Sequence, residues 1–329
     1  MGHLCYDSEI IIRADGSTKE GLGHLYRGLA LSQCIPNNVH FTFVTNYCEI
    51  HDINRKKLSA YFIQNNEDDL NIFKKFKSLK LIILDGYNFD SDYQRRIRKA
   101  GYKTIYIDDL AEEHMYSDVV INHSPGFSRL DYKGESYVKY FLGPKYSIIR
   151  SAFLRKAPQL KSRKGILILM GGSDQLNITY KVLKYLSDNN FSNDSIYAIV
   201  GNNYKSIKEL YSFKNLNLKI LSSLSALELS QLMSRCRFGI MPASTVLYEF
   251  LMCGGNALSG YYVHNQKKVY NFFLKNNLIF PLGNFTNNFE ETLIEGLNRP
   301  KFDNVDLIDM GFDKQSHTRL RSIIENLIR

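Results

Sequence analysis

Residues 21–27 read GLGHLYR, and they set one histidine, His24, behind Gly21 and Gly23 at the head of an apolar stretch with helical spacing. The run before it, IIIRADGS, leaves Arg13 and Asp15 where a strand-like segment gives way to a polar loop. Glycines permit close backbone approach and unusual dihedral angles. Backbone N–H groups at a helix start favour an anion or an electron-rich ligand. The positive end of a helix works against an imidazolium, and a neutral imidazole is what general-base chemistry near pH 7 requires. A histidine that only hydrogen-bonds the helix terminus fits the same position, and spacing alone does not choose between the two. The loop is not a dinucleotide fingerprint, because the third glycine of that pattern would fall at Tyr26. No GK[ST] phosphate loop occurs either.

Two further loops carry suitable groups. MGGSD, residues 170–174, follows the strand-like GILIL and offers Gly171 and Gly172 for a tight turn, with Ser173 and Asp174 behind them. Such a turn can ring a phosphate with N–H groups or can be a plain capped helix start. PASTVLYEFLMCGGN, residues 242–256, puts Ser244 and Thr245 at a predicted helix start and Glu249 one turn later on the same face. Hydroxyls and N–H groups there suit a diphosphate. A carboxylate there can accept from two ribose hydroxyls, or it can be an ordinary solvated glutamate. Weaker signals sit at other strand ends: Asp85 and Tyr87 in ILDGYNFD, Asp108 and Asp109 in YIDDL, and His264, Asn265 and Gln266 in YVHNQKK. Such residues are commonly caps and turns, and their place at strand ends is what raises them.

The elements that must position these residues alternate along the chain. EIIIRAD, VHFTFVT, LKLIILDG, KTIYIDD and DVVINH read as strands, with helical stretches such as DLNIFKKFKSL and SDYQRRIRKA between them. Near-continuous apolar strands predict a parallel sheet covered on both faces. Around residues 143–164 the pattern breaks into GPKYSIIRSAFLRKAPQLKSRK, a linker bounded by Gly-Pro and by charge. It then restarts with the strands GILILMGG, SIYAIVG, LNLKILSSL, RFGIMPAS and NALSGYYV and the helices between them. The expected architecture is α/β, with two Rossmann-like domains, 1–150 and 151–329, whose parallel sheets face a cleft; the last helix could pack on either half. Ligands of open α/β sheets bind at the carboxyl ends of the strands, which points to that cleft.

Composition narrows the function classes. The 329 residues are 44% hydrophobic and 23% charged, an ordinary globular balance. No apolar run reaches the ~18 residues of a membrane span, and no secretory leader opens the chain, so a cytoplasmic protein without membrane insertion is expected. The five cysteines are scattered without a C-x-x-C pair, which predicts buried or free thiols and no metal site. A net charge of +9 attracts anions, but the basic residues lie among acidic ones and form no basic helix or tail. A nucleic-acid-binding module would rest on that charge alone, and no nucleic-acid partner is expected.

Taken in order, these segments resemble the UDP-2,4-diacetamido-2,4,6-trideoxy-β-L-altropyranose hydrolases of pseudaminic acid biosynthesis. IIRADGSTKEGLGHLYRGLALS is similar to that family's opening strand, Gly-x-Gly-His loop and Arg-bearing helix. LIILDGY and YIDDL match two later strand ends, LGPKYSIIRSAF the interdomain segment, and MGGSD, ASTVLYEFL and HNQ the nucleotide half. Gly86 stands where many relatives carry His or Asn. The resemblance implies the GT-B fold and a UDP-sugar substrate. It implies that His24 activates water for attack on the anomeric carbon, with inversion and loss of UDP. Tyr87, Asn265 and Gln266 would lie near the sugar, and Gly171, Gly172, Ser173, Asp174, Ser244, Thr245 and Glu249 would hold UDP. Arg13, Asp15, Gly21, Gly23, Arg27 and Asp85 are the other expected substrate-binding residues. Neither cofactor nor metal is expected, and a monomer is. The alternative is a GT-B glycosyltransferase, in which the same base activates an acceptor hydroxyl.

Overall fold

The computed structural model describes residues 8–16, 23–46, 58–64, 67–154, 163–172, 174–191, 194–201, 204–299 and 307–329. The chain divides into two compact units, residues 1–148 with 308–329, and residues 149–307.

In the first unit the strands are β1 (Glu9–Ala14), β2 (His40–Thr45), β3 (Ala60–Phe62), β4 (Leu79–Asp85), β5 (Thr104–Ile107), β6 (His114–Met115), β7 (Val119–Asn122), β8 (Lys133–Gly134) and β9 (Lys139–Leu142). Seven of them form a parallel sheet in the order β3-β2-β1-β4-β5-β7-β9, and β6 pairs with β8 apart from it. Alternate residues feed two cores. Ile10, Ile12, Leu81, Ile83, Ile105 and Ile107 pack on one face. Ile11, Ile82, Leu84, Tyr106 and Val120 pack on the other. Burial on both faces is why these strands read as unbroken apolar runs. Helix α1 (Gly23–Ser32) lies on the first face, with Leu25, Leu29 and Leu31 turned inward. Its close approach depends on Gly28, where a Cβ would stand 3.0 Å from the Phe43 ring and 3.1 Å from Ile12. Gly28 thus gives the close helix–sheet packing that the third glycine of a dinucleotide fingerprint would give at position 26. The last helix, Ser316–Ile328, joins the same core through Leu320, Ile323 and Ile324. Arg319 also donates to the Lys145 carbonyl, and Lys103 to that of Leu327.

In the second unit β10 (Ile166–Leu169), β11 (Ile196–Ile199), β12 (Leu218–Leu221), β13 (Phe238–Pro242), β14 (Asn256–Tyr261) and β15 (Ile279–Asn284) form a parallel sheet in the order β12-β11-β10-β13-β14-β15. Helices α2 (Ile178–Asp188), α3 (Thr245–Met252) and α4 (His264–Lys275) follow β10, β13 and β14. Strand β15 carries Pro281 and Gly283, which argue against a strand in sequence; at a sheet edge the missing N–H is tolerated.

In each sheet the chain winds outward from its first strand and then returns to that strand's other side. The reversal falls between β1 and β4 in the first unit and between β10 and β13 in the second. Crevices at the carboxyl ends of such neighbouring strands are where open α/β sheets bind ligands.

Candidate active site

The first crevice gathers a charged cluster. His24 stands in the first turn of α1, after β1, and Asp85 ends β4. The two meet at 2.7 Å between His24 Nδ1 and Asp85 Oδ1. Arg27, one turn further along α1, grips both oxygens of Asp85, with Nε–Oδ2 2.8 Å and a second donation at 2.5 Å, and sends its remaining arm to Asp109 at 2.6 Å. The Tyr87 ring stands edge-on to the His24 ring, with centroids 4.8 Å apart, and its hydroxyl lies 3.5 Å from Asp109 Oδ2. Asp85 has no exposed surface, while the His24 side chain keeps 16% of its own. Asp85 is thus enclosed, and its contacts here are with His24 and Arg27.

The electrostatics follow from burial and pairing. Burial alone would raise the Asp85 carboxyl; the Arg27 guanidinium, aided by His24, outweighs it and holds the group at about 2. Asp109 is treated the same way, burial raising it and Arg27 pulling it below the usual carboxylate range. Arg27 is buried, yet its two carboxylates push its pKa well above the ordinary guanidinium value. A carboxylate on Nδ1 selects the tautomer with the proton there and leaves the Nε2 lone pair for chemistry. Among the described residues Nε2 has no hydrogen-bond partner.

Behind this cluster sits His123, at the end of β7, which sequence reasoning passed over. It is 3% exposed, and its Nδ1 accepts the Ile148 amide. Burial lowers its pKa to about 4, with the Arg27 charge adding to the effect. Asp108 is also internal, accepting from the Tyr132 hydroxyl at 2.6 Å and from the Ala111 amide at 2.8 Å.

Arg13 and Asp15 are placed differently from expectation. Arg13 is 7% exposed, donates to Asp69 at 2.8 Å and to Asp15 at 2.5 Å, and lies over the Phe89 ring. Asp15 also accepts the Asn46 amide. Their charges tie the ends of β1 and β2 to the helix at Asp69–Phe73. Gly21 lies outside the described residues. Gly23 is exposed, and among the described residues nothing stands within 4 Å of where a Cβ would be.

The second crevice holds the other loops. Gly171 takes φ +92°, a left-handed conformation that favours glycine, and Gly172 is exposed. The turn is braced from β11, since a Cβ on Gly201 would stand 1.7 Å from the Gly172 carbonyl oxygen. The Tyr262 hydroxyl donates to the Met170 carbonyl on the turn's other side. Ser173 lies outside the described residues. Asp174 has a settled job: its carboxylate accepts the amides of Ile178 at 2.9 Å and Thr179 at 2.8 Å, capping α2. That helix terminus already has its anion.

The start of α3 is open by contrast. Ser244 is its N-cap without a side-chain capping bond, and Ser244, Thr245 and Val246 are half-buried at the carboxyl end of β13. Glu249 is 2% exposed, and its oxygens accept from Arg150 Nε at 2.8 Å and NH2 at 2.7 Å. Nothing in the spacing of PASTVLYEF foretold that partner, 99 residues away. Gln266 accepts the Tyr262 amide at 3.1 Å, which ties α4 to the end of β14; Asn265 precedes it in the same first turn. Among the described residues no group of His, Cys, Asp and Glu is arranged to hold a metal ion, and no helix is long and apolar enough to cross a membrane.

No protein-family model matches the chain. It is 28% identical over 287 residues to an uncharacterized protein of Methanocaldococcus jannaschii, covering 81% of this chain and 58% of that protein. It is 24% identical over 271 residues to the UDP-2,4-diacetamido-2,4,6-trideoxy-beta-L-altropyranose hydrolase of Campylobacter jejuni, covering 81% and 96%. It is 27% identical over 180 residues to the spore coat polysaccharide biosynthesis protein SpsG of Bacillus subtilis, covering 52% and 53%. The chain thus spans little more than half the length of two of these relatives, and the resemblance to the hydrolase is borne out. Among solved structures, the MurG of Acinetobacter baumannii superposes with a TM-score of 0.58 at 13% identity, covering 97% of this chain and 99% of that one. The kitacinnamycin glycotransferase gives 0.65 at 11%, covering 98% and 99%. The fold is that of the GT-B glycosyltransferases.

Proposed function

We propose that the protein hydrolyses a UDP-linked diacetamido-trideoxy sugar at its anomeric carbon, with inversion, and releases UDP and the free sugar. The observation that carries this reading is the contact of His24 Nδ1 with Asp85 at the switch point of the first sheet. Asp85 holds the tautomer in which Nε2 accepts a proton, and Arg27 holds Asp85. Nε2 takes a proton from water, the water oxygen bonds to the anomeric carbon, and the carbon–oxygen bond to the diphosphate breaks with its electron pair leaving on UDP. A single displacement of this kind inverts the centre. Tyr87, beside the ring, is assigned to the sugar side. Asn265 and Gln266 are assigned to the sugar as well.

In the second unit the diphosphate is assigned to the N-terminus of α3, with Ser244 and Thr245, and to the amides of the turn at Gly171 and Gly172. The open helix start supports this, because N–H groups aimed at a leaving diphosphate stabilise the charge it develops. The ribose hydroxyls are assigned to Glu249, whose carboxylate Arg150 holds in place. The similarity to the Campylobacter jejuni hydrolase supports the substrate class.

The test is turnover of UDP-2,4-diacetamido-2,4,6-trideoxy-β-L-altropyranose in oxygen-18 water. Label in the sugar is expected; label in UDP means P–O cleavage and defeats the mechanism. The glycosyltransferase reading is favoured by the fold shared with the solved structures. It predicts UDP release only when an acceptor is added.

A further inference from the structure

Arg27 is shared between two carboxylates, and only one of them touches His24. Among the described residues, the groups facing the imidazole are His24's neighbour Arg27 from α1, Asp85 and Tyr87 from the end of β4, Asp109 from the end of β5, and His123 behind them from the end of β7. Asp108 points the other way, into the Tyr132 and Ala111 hydrogen bonds. His123 is buried and neutral near pH 7. Two carboxylates against one guanidinium leave the cluster one negative charge in excess. A lone Arg27–Asp85 pair would be neutral and would offer a nascent imidazolium a weaker attraction, because the arginine nitrogen 3.1 Å from Nδ1 opposes the Asp85 oxygen at 2.7 Å.

We propose that Asp109 is a positioning residue for His24: by taking a share of Arg27 it leaves Asp85 with charge for the imidazolium that forms when His24 accepts its proton. Asp109 donates nothing and touches no reacting atom. It acts through Arg27 at 2.6 Å, and it borders the Tyr87 hydroxyl that flanks the same ring. This inference rests on His24 being the base, but the charge balance it invokes exists without substrate and can be measured so.

The experiment follows the His24 imidazole by NMR through a pH titration, its signal assigned by loss in His24→Gln. In Asp109→Asn the proton affinity of His24 is expected to fall about tenfold, the order of one titration unit for a lost neighbouring charge. Asp109→Glu, which keeps the charge, is expected to stay near the wild-type midpoint. An unchanged midpoint in Asp109→Asn overturns the proposal. Where that variant does not fold, Asp109→Ser, which also removes the charge, decides: a fall of about tenfold supports the charge role, and a wild-type midpoint overturns it. With UDP-2,4-diacetamido-2,4,6-trideoxy-β-L-altropyranose as substrate, Asp109→Asn should lower kcat about tenfold and leave KM in place. Normal turnover in His24→Gln would sink the base reading and leave the titration result standing. A dead His24→Gln beside an unshifted Asp109→Asn would sink the role of Asp109 alone.

Discussion

His24 and Asp85 form a dyad in which each residue's task is set by the other. The imidazole is partly open, and the carboxylate is fully enclosed. His24→Gln keeps a polar side chain and removes the imidazole we propose as base, so kcat should fall by a factor on the order of 10² to 10⁴. The UDP affinity measured by calorimetry should not change, because the groups assigned to UDP lie in the other unit. Activity within about tenfold of the parent would remove His24 from that role. Asp85→Asn tests the partner. An amide cannot hold the Nδ1–H tautomer as a carboxylate does, and it leaves Arg27 without one of its two anions, so a loss of similar order is expected.

At the scale of elements, two helix starts in the second unit look alike in sequence and behave differently. Helix α2 is closed by the Asp174 carboxylate, and α3 opens without a capping side chain. Asp174→Ala should therefore cost about 1 kcal/mol of stability in a denaturant titration. Thr245→Val should weaken UDP binding several-fold and barely alter the unfolding midpoint; the reverse pattern would exchange the two assignments. Glu249 tests a different contact. Glu249→Ala removes the carboxylate that accepts both donations of Arg150, a side chain 13% exposed, and should destabilise the protein by about 3 kcal/mol. Replacing both residues by apolar ones should recover most of that loss, while UDP affinity stays weakened if Glu249 meets the ribose. Strands buried on both faces, such as β1, β4 and β10, are legible in sequence because each carries an unbroken apolar run, with charged residues only towards its ends. The short β3 and the Pro-bearing β15 are not, because sheet edges impose no such pattern.

Across the whole molecule, buried ionisable groups set how stability responds to pH. The His123 pKa falls from 6.5 to about 4 in the folded protein. The unfolded chain therefore binds more protons between those values, and stability is lost as pH falls from 6.5 towards 4. The shift corresponds to about 3 kcal/mol. Asp85, held at about 2, extends the loss in the same direction below pH 4, where the unfolded carboxylate protonates first. Urea midpoints between pH 7 and 4 should decline for the parent and decline less for His123→Asn, which can still accept the Ile148 amide. Parallel slopes in the two proteins would exclude His123 as the source.

Residue types and their order along the chain determined the two α/β units, the strand ends that carry chemistry, and His24 on its glycine loop. Local signals suffice for these: apolar runs dictate buried strands, and small or polar residues mark where strands end. Tertiary structure decided which charge meets which. Arg27 lies 58 residues from Asp85 and 82 from Asp109, and Arg150 lies 99 from Glu249. No periodicity reports such pairings, because they depend on the order in which parallel strands lie side by side. That order made Asp85 a partner of His24, turned Arg13, Asp15 and Asp174 inward as supports, and left the start of α3 open.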